Sequence, residues 1–223
     1  MTNQLSKNVE ALAESIQWFG QASFKIQSAG KTIYIDPYVL KLADRADVVF
    51  ITHPHFDHFS EEDIKKIATP DTTLFCPNEL VAKIKSIGFD KVNGVAPGYE
   101  TEWKGISIKA VPAYNISKTD KHPKEKKWVG YVLSLGHVTL YHTGDTERIP
   151  EMKEINCDII LLPLGQTYTM NSINDAVKVV VDTNASVAIP MHYGMYEGSA
   201  EDAENFKKLL EDRVDVIIPP IKS

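Results

Sequence analysis

Cysteine is nearly absent: the 223-residue chain has two, Cys76 and Cys157, and neither belongs to a CxxC or CxH pattern. A cysteine-rich zinc site and a disulfide framework are therefore excluded, and two packed thiols in a reducing compartment are expected. No apolar run approaches the ~18 residues of a membrane span. The first residues, Met1 to Gln17, are polar and mixed in charge, unlike a signal peptide. Positive charge is also short, with 24 Lys+Arg against 30 Asp+Glu and a net charge of −6. That balance argues against nucleic acid as a partner, because a long polyanion needs a dense basic face. Linkers, repeats and low-complexity stretches are missing too. The expectation is one soluble cytoplasmic domain spanning residues 1–223, with a small molecule as partner, no membrane, and self-association left open.

What is present suits a packed core: 43% of residues are hydrophobic and 24% charged. Short strand patterns crowd the start, at Ile16 to Phe19, Ser23 to Gln27 and Thr32 to Ile35, with a Gly30-Lys31 turn between the last two. The apolar run from Val48 to Thr52 suits a strand buried on both faces. Ser60 with Glu61, Glu62 and Asp63 then opens a helix, and a second is expected from Asn78 to Ile87, ending before Gly88. Strands return at Ile106 to Val111, Val129 to Leu135 and Val138 to His142, the last two joined at Gly136-His137. Alternation follows: strand Ile159 to Leu162, helix Ser172 to Asp182, strand Val187 to Ile189, helix Ala200 to Glu211, strand Val214 to Ile218. The last helix is read with Ala203, Phe206, Leu209 and Leu210 on its buried face. Clustered strands followed by helices, in each half, predict a layered α/β fold.

The informative segment is Thr52-His53-Pro54-His55-Phe56-Asp57-His58, which places three of the seven histidines within six positions. In extended chain, residues i and i+2 share a side, so His53, His55 and Asp57 can converge. Pro54 disfavours helical geometry at His53, and His58 joins only if the chain turns there. Imidazole and carboxylate are donors for zinc, iron or manganese. Elsewhere, Asp36 before Pro37 reads as a turn cap or as a carboxylate orienting a histidine. His137 reads as solvated and His142 as a packed strand end. The stretch from Lys118 to Lys127 carries five lysines and His122; it reads as a solvated loop or as a flexible flap whose lysines meet an anionic substrate.

His-x-His-x-Asp-His after an apolar strand resembles the signature of the metallo-β-lactamase superfamily. Trp18-Phe19-Gly20, Ile35-Asp36-Pro37, Tyr141 to Thr146 (Tyr-His-Thr-Gly-Asp-Thr) and Pro190 to Gly194 (Pro-Met-His-Tyr-Gly) extend the resemblance over nearly the whole chain. It is similar to the small branch that contains ascorbate-6-phosphate lactonase-type enzymes. The resemblance implies a four-layer αβ/βα sandwich and a metal-dependent hydrolase, with one or two zinc ions, or manganese, iron or nickel instead. His53 and His55 would hold the first metal; Asp57, His58 and His192 the second; Asp145 would bridge them. Without the family, Asp145 reads as a turn residue and His192 as a buried histidine; beside the six-residue cluster both become candidate ligands.

A metal-bound hydroxide would be the nucleophile, with Asp57 orienting it or accepting its proton. The implied substrate is a small anionic ester, lactone or phosphodiester. Gln166, Tyr168 and Met170 read equally as pocket-lining or packing residues. Relatives commonly carry histidine where this chain has Asn115, and His122 is expected to complete the first site or to stand beside it as a proton donor. Two other readings remain: a non-catalytic metal or ligand binder, and a di-iron redox protein, against which His55 stands where such proteins carry glutamate.

Overall fold

Two β-sheets face one another, and the chain passes from the first to the second at residues 96–99. The computed structural model describes residues 5–41 and 43–222. Helix α1 (Lys7–Glu14) precedes an antiparallel meander of β1 (Gln17–Gly20), β2 (Ser23–Ser28) and β3 (Lys31–Ile35). The parallel strands β4 (Val48–Phe50), β5 (Thr73–Pro77) and β6 (Val92–Val95) complete the first sheet. The second sheet runs antiparallel through β7 (Glu100–Trp103), β8 (Ile106–Pro112), β9 (Val129–Leu135) and β10 (Val138–His142). It continues in parallel through β11 (Ile159–Pro163), β12 (Val187–Met191) and β13 (Asp215–Val216).

Side-chain alternation assigns the layers. Val48 and Phe50 of β4 join the core between the sheets, whereas Val49 and the following Ile51 pack with Ile64 and Ile67 of α2 (Glu61–Ile67) and Ile84 of α3 (Val81–Ser86). On the other sheet, α4 (Ile173–Asp182) and α5 (Ala200–Leu210) bury Val179, Val180, Phe206 and Leu210. The result is the expected four-layer αβ/βα sandwich. Ser60, Ser172 and Ser199 each accept an amide hydrogen bond at the start of α2, α4 and α5, worth about 1 kcal/mol per cap.

Several expectations need correction. Helix α1 and strands β5, β6 and β7 were not expected. The helix predicted from Asn78 starts as a 3-10 turn at Asn78–Leu80, and only Val81–Ser86 is α-helical. The last strand shrinks to Asp215–Val216, and Leu209 lies on the solvent side of α5.

What positions the site is the direction of the strands. The parallel strands end on one side, and the segments leaving β3, β4, β10 and β12 carry Asp36, His53 to His58, Asp145 and His192. Open α/β sheets gather their polar chemistry at such carboxyl ends, where loops take over from pleated backbone. Gly130 of β9 sits against this edge: a Cβ there would lie 2.6 Å from the Thr143 carbonyl oxygen and 2.7 Å from that of His142. Backbone cannot retreat as a side chain can. Gly130→Ala should therefore lower unfolding free energy by about 3 kcal/mol in denaturant titration; a loss within experimental error would refute this packing argument.

Candidate metal centre

The turn that His58 requires is present: the His55 carbonyl accepts hydrogen bonds from the amides of His58 (3.0 Å) and Phe59 (2.8 Å). This single helical turn swings His58 inward beside His53, with ring centroids 3.9 Å apart. Asp36, fully buried at the end of β3, accepts from the Thr52 amide (2.8 Å), the Thr52 hydroxyl (2.6 Å) and His58 Nδ1–H (2.7 Å). Of its two expected readings, the structure realises the histidine-orienting one. With Nδ1 donating to a carboxylate, His58 Nε2 is left to face the centre.

Asp145 is the hub. Its Oδ2 lies 3.1 Å from His192 Nε2, 3.3 Å from His58 Nε2, 3.4 Å from His122 Nε2 and 3.9 Å from His53 Nε2. It arrives there through Gly144, whose φ of +64° and closeness to the Val129 carbonyl (2.8 Å from a hypothetical Cβ) leave no room for a side chain. On the other flank, Asp57 Oδ2 lies 3.5 Å from His192 Nε2 and 3.8 Å from His58 Nε2. His192 follows β12 in a left-handed conformation, φ +57°, and its Nδ1–H donates to Glu197 Oε1 at 2.7 Å.

His122 reaches the same cluster from the loop between β8 and β9. Its Nδ1 lies 3.2 Å from the Tyr168 carbonyl oxygen and 3.3 Å from the Asn115 amide nitrogen, and its Nε2 faces Asp145 Oδ2 at 3.4 Å. Asn115 packs beside it: its amide nitrogen donates to the Tyr168 carbonyl at 2.7 Å, its backbone amide donates to the His122 carbonyl at 2.8 Å, and its Oδ1 is buried with no hydrogen-bond partner. The asparagine thus closes the loop that carries His122. His142 is packed, donating Nε2–H to the Ala22 carbonyl and accepting the Gly144 amide at Nδ1.

Three sets of donor atoms crowd within 4.8 Å of one another: His53–His55–His122, His53–His58–Asp145 and Asp57–His58–His192. At their centre His58 Nε2, His122 Nε2 and Asp145 Oδ1 are buried without a hydrogen-bond partner. Orphaned polar atoms at this density cost several kcal/mol unless a cation takes them. Their nitrogen and oxygen chemistry fits a divalent ion such as zinc, manganese, iron or nickel.

The electrostatics of the protein's own groups are consistent with that fit. Burial alone would push Asp145 up, but the His192 and His58 rings hold it well below the usual carboxylate range. Burial would likewise raise Asp57, which the same two rings bring down to about 2. Burial disfavours a charged His58, but Asp145, Asp36 and Asp57 raise it to about 10, and His192 is raised by Asp145, Asp57 and Glu197. Burial and the neighbouring imidazoles depress His53 strongly and His55 to about 4.

Two supporting residues escaped sequence reasoning. Gln21 donates its amide to Asp57 Oδ2 (3.0 Å), and Glu197 ties His192 to the wall by also accepting the amides of Thr167 and Tyr168. Gln166 points elsewhere, toward Asp202, and Met170 is core, so of that trio only Tyr168 lines the pocket. The lysine loop is pinned rather than a loose flap. The Glu147 carboxylate, held at about 2 against its burial by the Ser117 hydroxyl and three loop amides, anchors Ile116 to Lys118. Lys118 pairs with Glu147 and Lys124 with Glu151, leaving Lys121 at the pocket.

Comparison with known proteins agrees with this architecture. The profile of the β-lactamase superfamily domain matches residues 15–192. A protein of Thermococcus onnurineus named a metal-dependent hydrolase is 33% identical over 219 residues, covering 91% of this chain and 95% of its own length. A crystal structure from Parabacteroides distasonis superposes with a TM-score of 0.79 at 30% identity, covering 93% of each chain. One from Thermotoga maritima, described as of the metallo-β-lactamase superfamily, reaches 0.65 at 24% identity over 92% of this chain and 97% of its own. The chain belongs to the β-lactamase superfamily and has the metallo-β-lactamase fold.

Proposed function

We propose that the chain is a metal-dependent hydrolase of a small molecule, with His53, His55 and His122 holding one divalent cation, Asp57, His58 and His192 a second, and Asp145 between them. The observation that carries this reading is the convergence of the three donor sets on buried, unpartnered His58 Nε2, His122 Nε2 and Asp145 Oδ1. Bound divalent cations supply Lewis-acid polarisation of a carbonyl or phosphoryl oxygen and acidify water.

The protein's own groups do the rest. Asp36 and Glu197 hold the Nδ1 atoms of His58 and His192, so both rings present Nε2 inward. Asp57, ionised from about pH 2 upward and steadied by the Gln21 amide, accepts a hydrogen bond from a water but is too weak a base to store its proton. His122 serves as a donor of its Nε2 lone pair, with Nδ1 turned to the Tyr168 carbonyl and the Asn115 amide and Nε2 facing Asp145. Trp128 packs 5.0 Å from the His53 ring and walls off one side.

The test is elemental analysis of protein purified without added metal, followed by titration with zinc and manganese. Uptake of one to two equivalents supports the assignment, and no uptake of any divalent ion overturns it. His122→Ala should cut affinity for the ion assigned to His53, His55 and His122 by about 10- to 100-fold, and Asn115→Ala by less. The reverse order would return Asn115 to the first site. Metal uptake without turnover on any ester, lactone or phosphodiester would favour the non-catalytic reading.

A further inference from the structure

The pocket over this cluster has a volume of about 350 Å³, and its rim is aromatic. Among the described residues, three phenylalanine, tyrosine or tryptophan side chains are exposed, Phe56 (64%), Tyr196 (45%) and Tyr168 (37%), and all three line this pocket. Exposed rings cost hydration free energy, at roughly 25 cal/mol per Å² of apolar surface, and these are fixed in place. Phe56 packs edge-on against Tyr38 (6.1 Å) and Tyr196 (5.5 Å), and the Tyr38 and Tyr196 hydroxyls share a hydrogen bond of 2.7 Å. A rigid apolar wall beside a polar cluster is how a binding site orients an amphipathic small molecule.

Charge narrows the class. Lys121 is the one lysine lining the pocket, beside His55, His122 and His192; it pairs with Asp120 at 2.8 Å and lies over the Tyr168 ring. No arginine is present to grip a phosphate or carboxylate with two parallel bonds. Lys118 and Lys124 are engaged by Glu147 and Glu151, so of these three loop lysines only Lys121 faces the pocket.

We propose that the substrate is an uncharged carboxylic ester or lactone bearing a flat apolar group, which rests on Phe56 and Tyr196. This rests on the hydrolase reading above. Water adds its oxygen to the acyl carbon, the acyl carbon–oxygen bond breaks, the alcohol oxygen takes one proton, and the acid releases the other. No oxidant or reductant is needed.

The experiment compares three acetates on the purified protein: phenyl acetate, 4-acetoxybenzoate, which carries a carboxylate on the same ring, and methyl acetate, which lacks the ring. Each rate is scaled by that ester's own rate with hydroxide. Phenyl acetate should exceed 4-acetoxybenzoate by about 10-fold in kcat/KM. Phe56→Ala and Tyr196→Ala should each cut the preference for phenyl over methyl acetate by about 5- to 10-fold, through KM. Equal or better use of 4-acetoxybenzoate overturns the proposal. Binding of phenylacetamide, read by saturation-transfer NMR, separates the two readings. If no ester is turned over but phenylacetamide binds in a Phe56-dependent way, the hydrolase reading falls and the pocket's preference stands. Phenylacetamide binding indifferent to Phe56→Ala, or self-association of the chain abolished by it, overturns the preference itself.

Discussion

Asp145→Asn should lower kcat/KM by roughly 10³-fold or more and remove most bound metal, the largest loss expected of any single substitution. The side chains are nearly isosteric, so the effect is one of charge. In the native protein one carboxylate oxygen faces four imidazole nitrogens at 3.1 to 3.9 Å, whereas Asp57 faces two of them, those of His58 and His192. An amide oxygen there keeps a lone pair but gives up the charge that neutralises a cation, and losing one well-aimed electrostatic partner already costs 10²–10³ in turnover. Both hypothetical ion positions are affected at once. Metal content and steady-state rates on the same preparation check this; native occupancy with native turnover would remove Asp145 from the centre.

The metal-free protein should be most stable near pH 6.5 and lose stability in both directions. His58 is raised to about 10 and His192 is raised strongly. Their contribution is complete below the unfolded value of about 6.5 and disappears as pH climbs through the folded value. His53 and His55 are displaced oppositely, His55 to about 4. They contribute above 6.5, and that contribution is lost as pH falls toward the folded values. The alkaline fall should amount to a few kcal/mol between pH 6.5 and 10. Because a cation needs unprotonated His58 and His192, its uptake at neutral pH should expel protons and tighten with rising pH. Denaturant titrations of chelator-treated protein at pH 5, 6.5 and 9, with calorimetric metal titrations in two buffers of different ionisation heat, measure both effects. A flat stability profile together with proton-neutral uptake would contradict the charge states described for the cluster.

Much of this was legible in the chain because the signals were local. The six-residue histidine cluster, the continuous apolar run of Val48 to Thr52 and the Ser60 cap of α2 with its first-turn acids each announce themselves within a few positions. Helix α1 carried a signal too, since Val9, Leu12 and Ala13 follow helical spacing after Ser6, but its polar face disguised it. Strand β7 (Glu-Thr-Glu-Trp) is a charged edge whose pairing to β8 decides its structure more than its residues do. Gln21 was illegible for a different reason: its partners Asp57 and His192 lie 36 and 171 positions away. The lysine loop misled because a run of like charges says nothing about which acids lie across the fold. Glu147 and Glu151 were those acids, and they claimed Lys118 and Lys124.

The passage between the sheets at residues 96–99 divides the donors as well as the strands. His53, His55, Asp57 and His58 come from one bank, and His122, Asp145 and His192 from the other. The free energy that such a cluster invests in a cation is, by linkage, also cohesion between the banks. A chain severed at that crossing would yield two pieces, each with part of a coordination sphere, whose reunion would report the concentration of the ion.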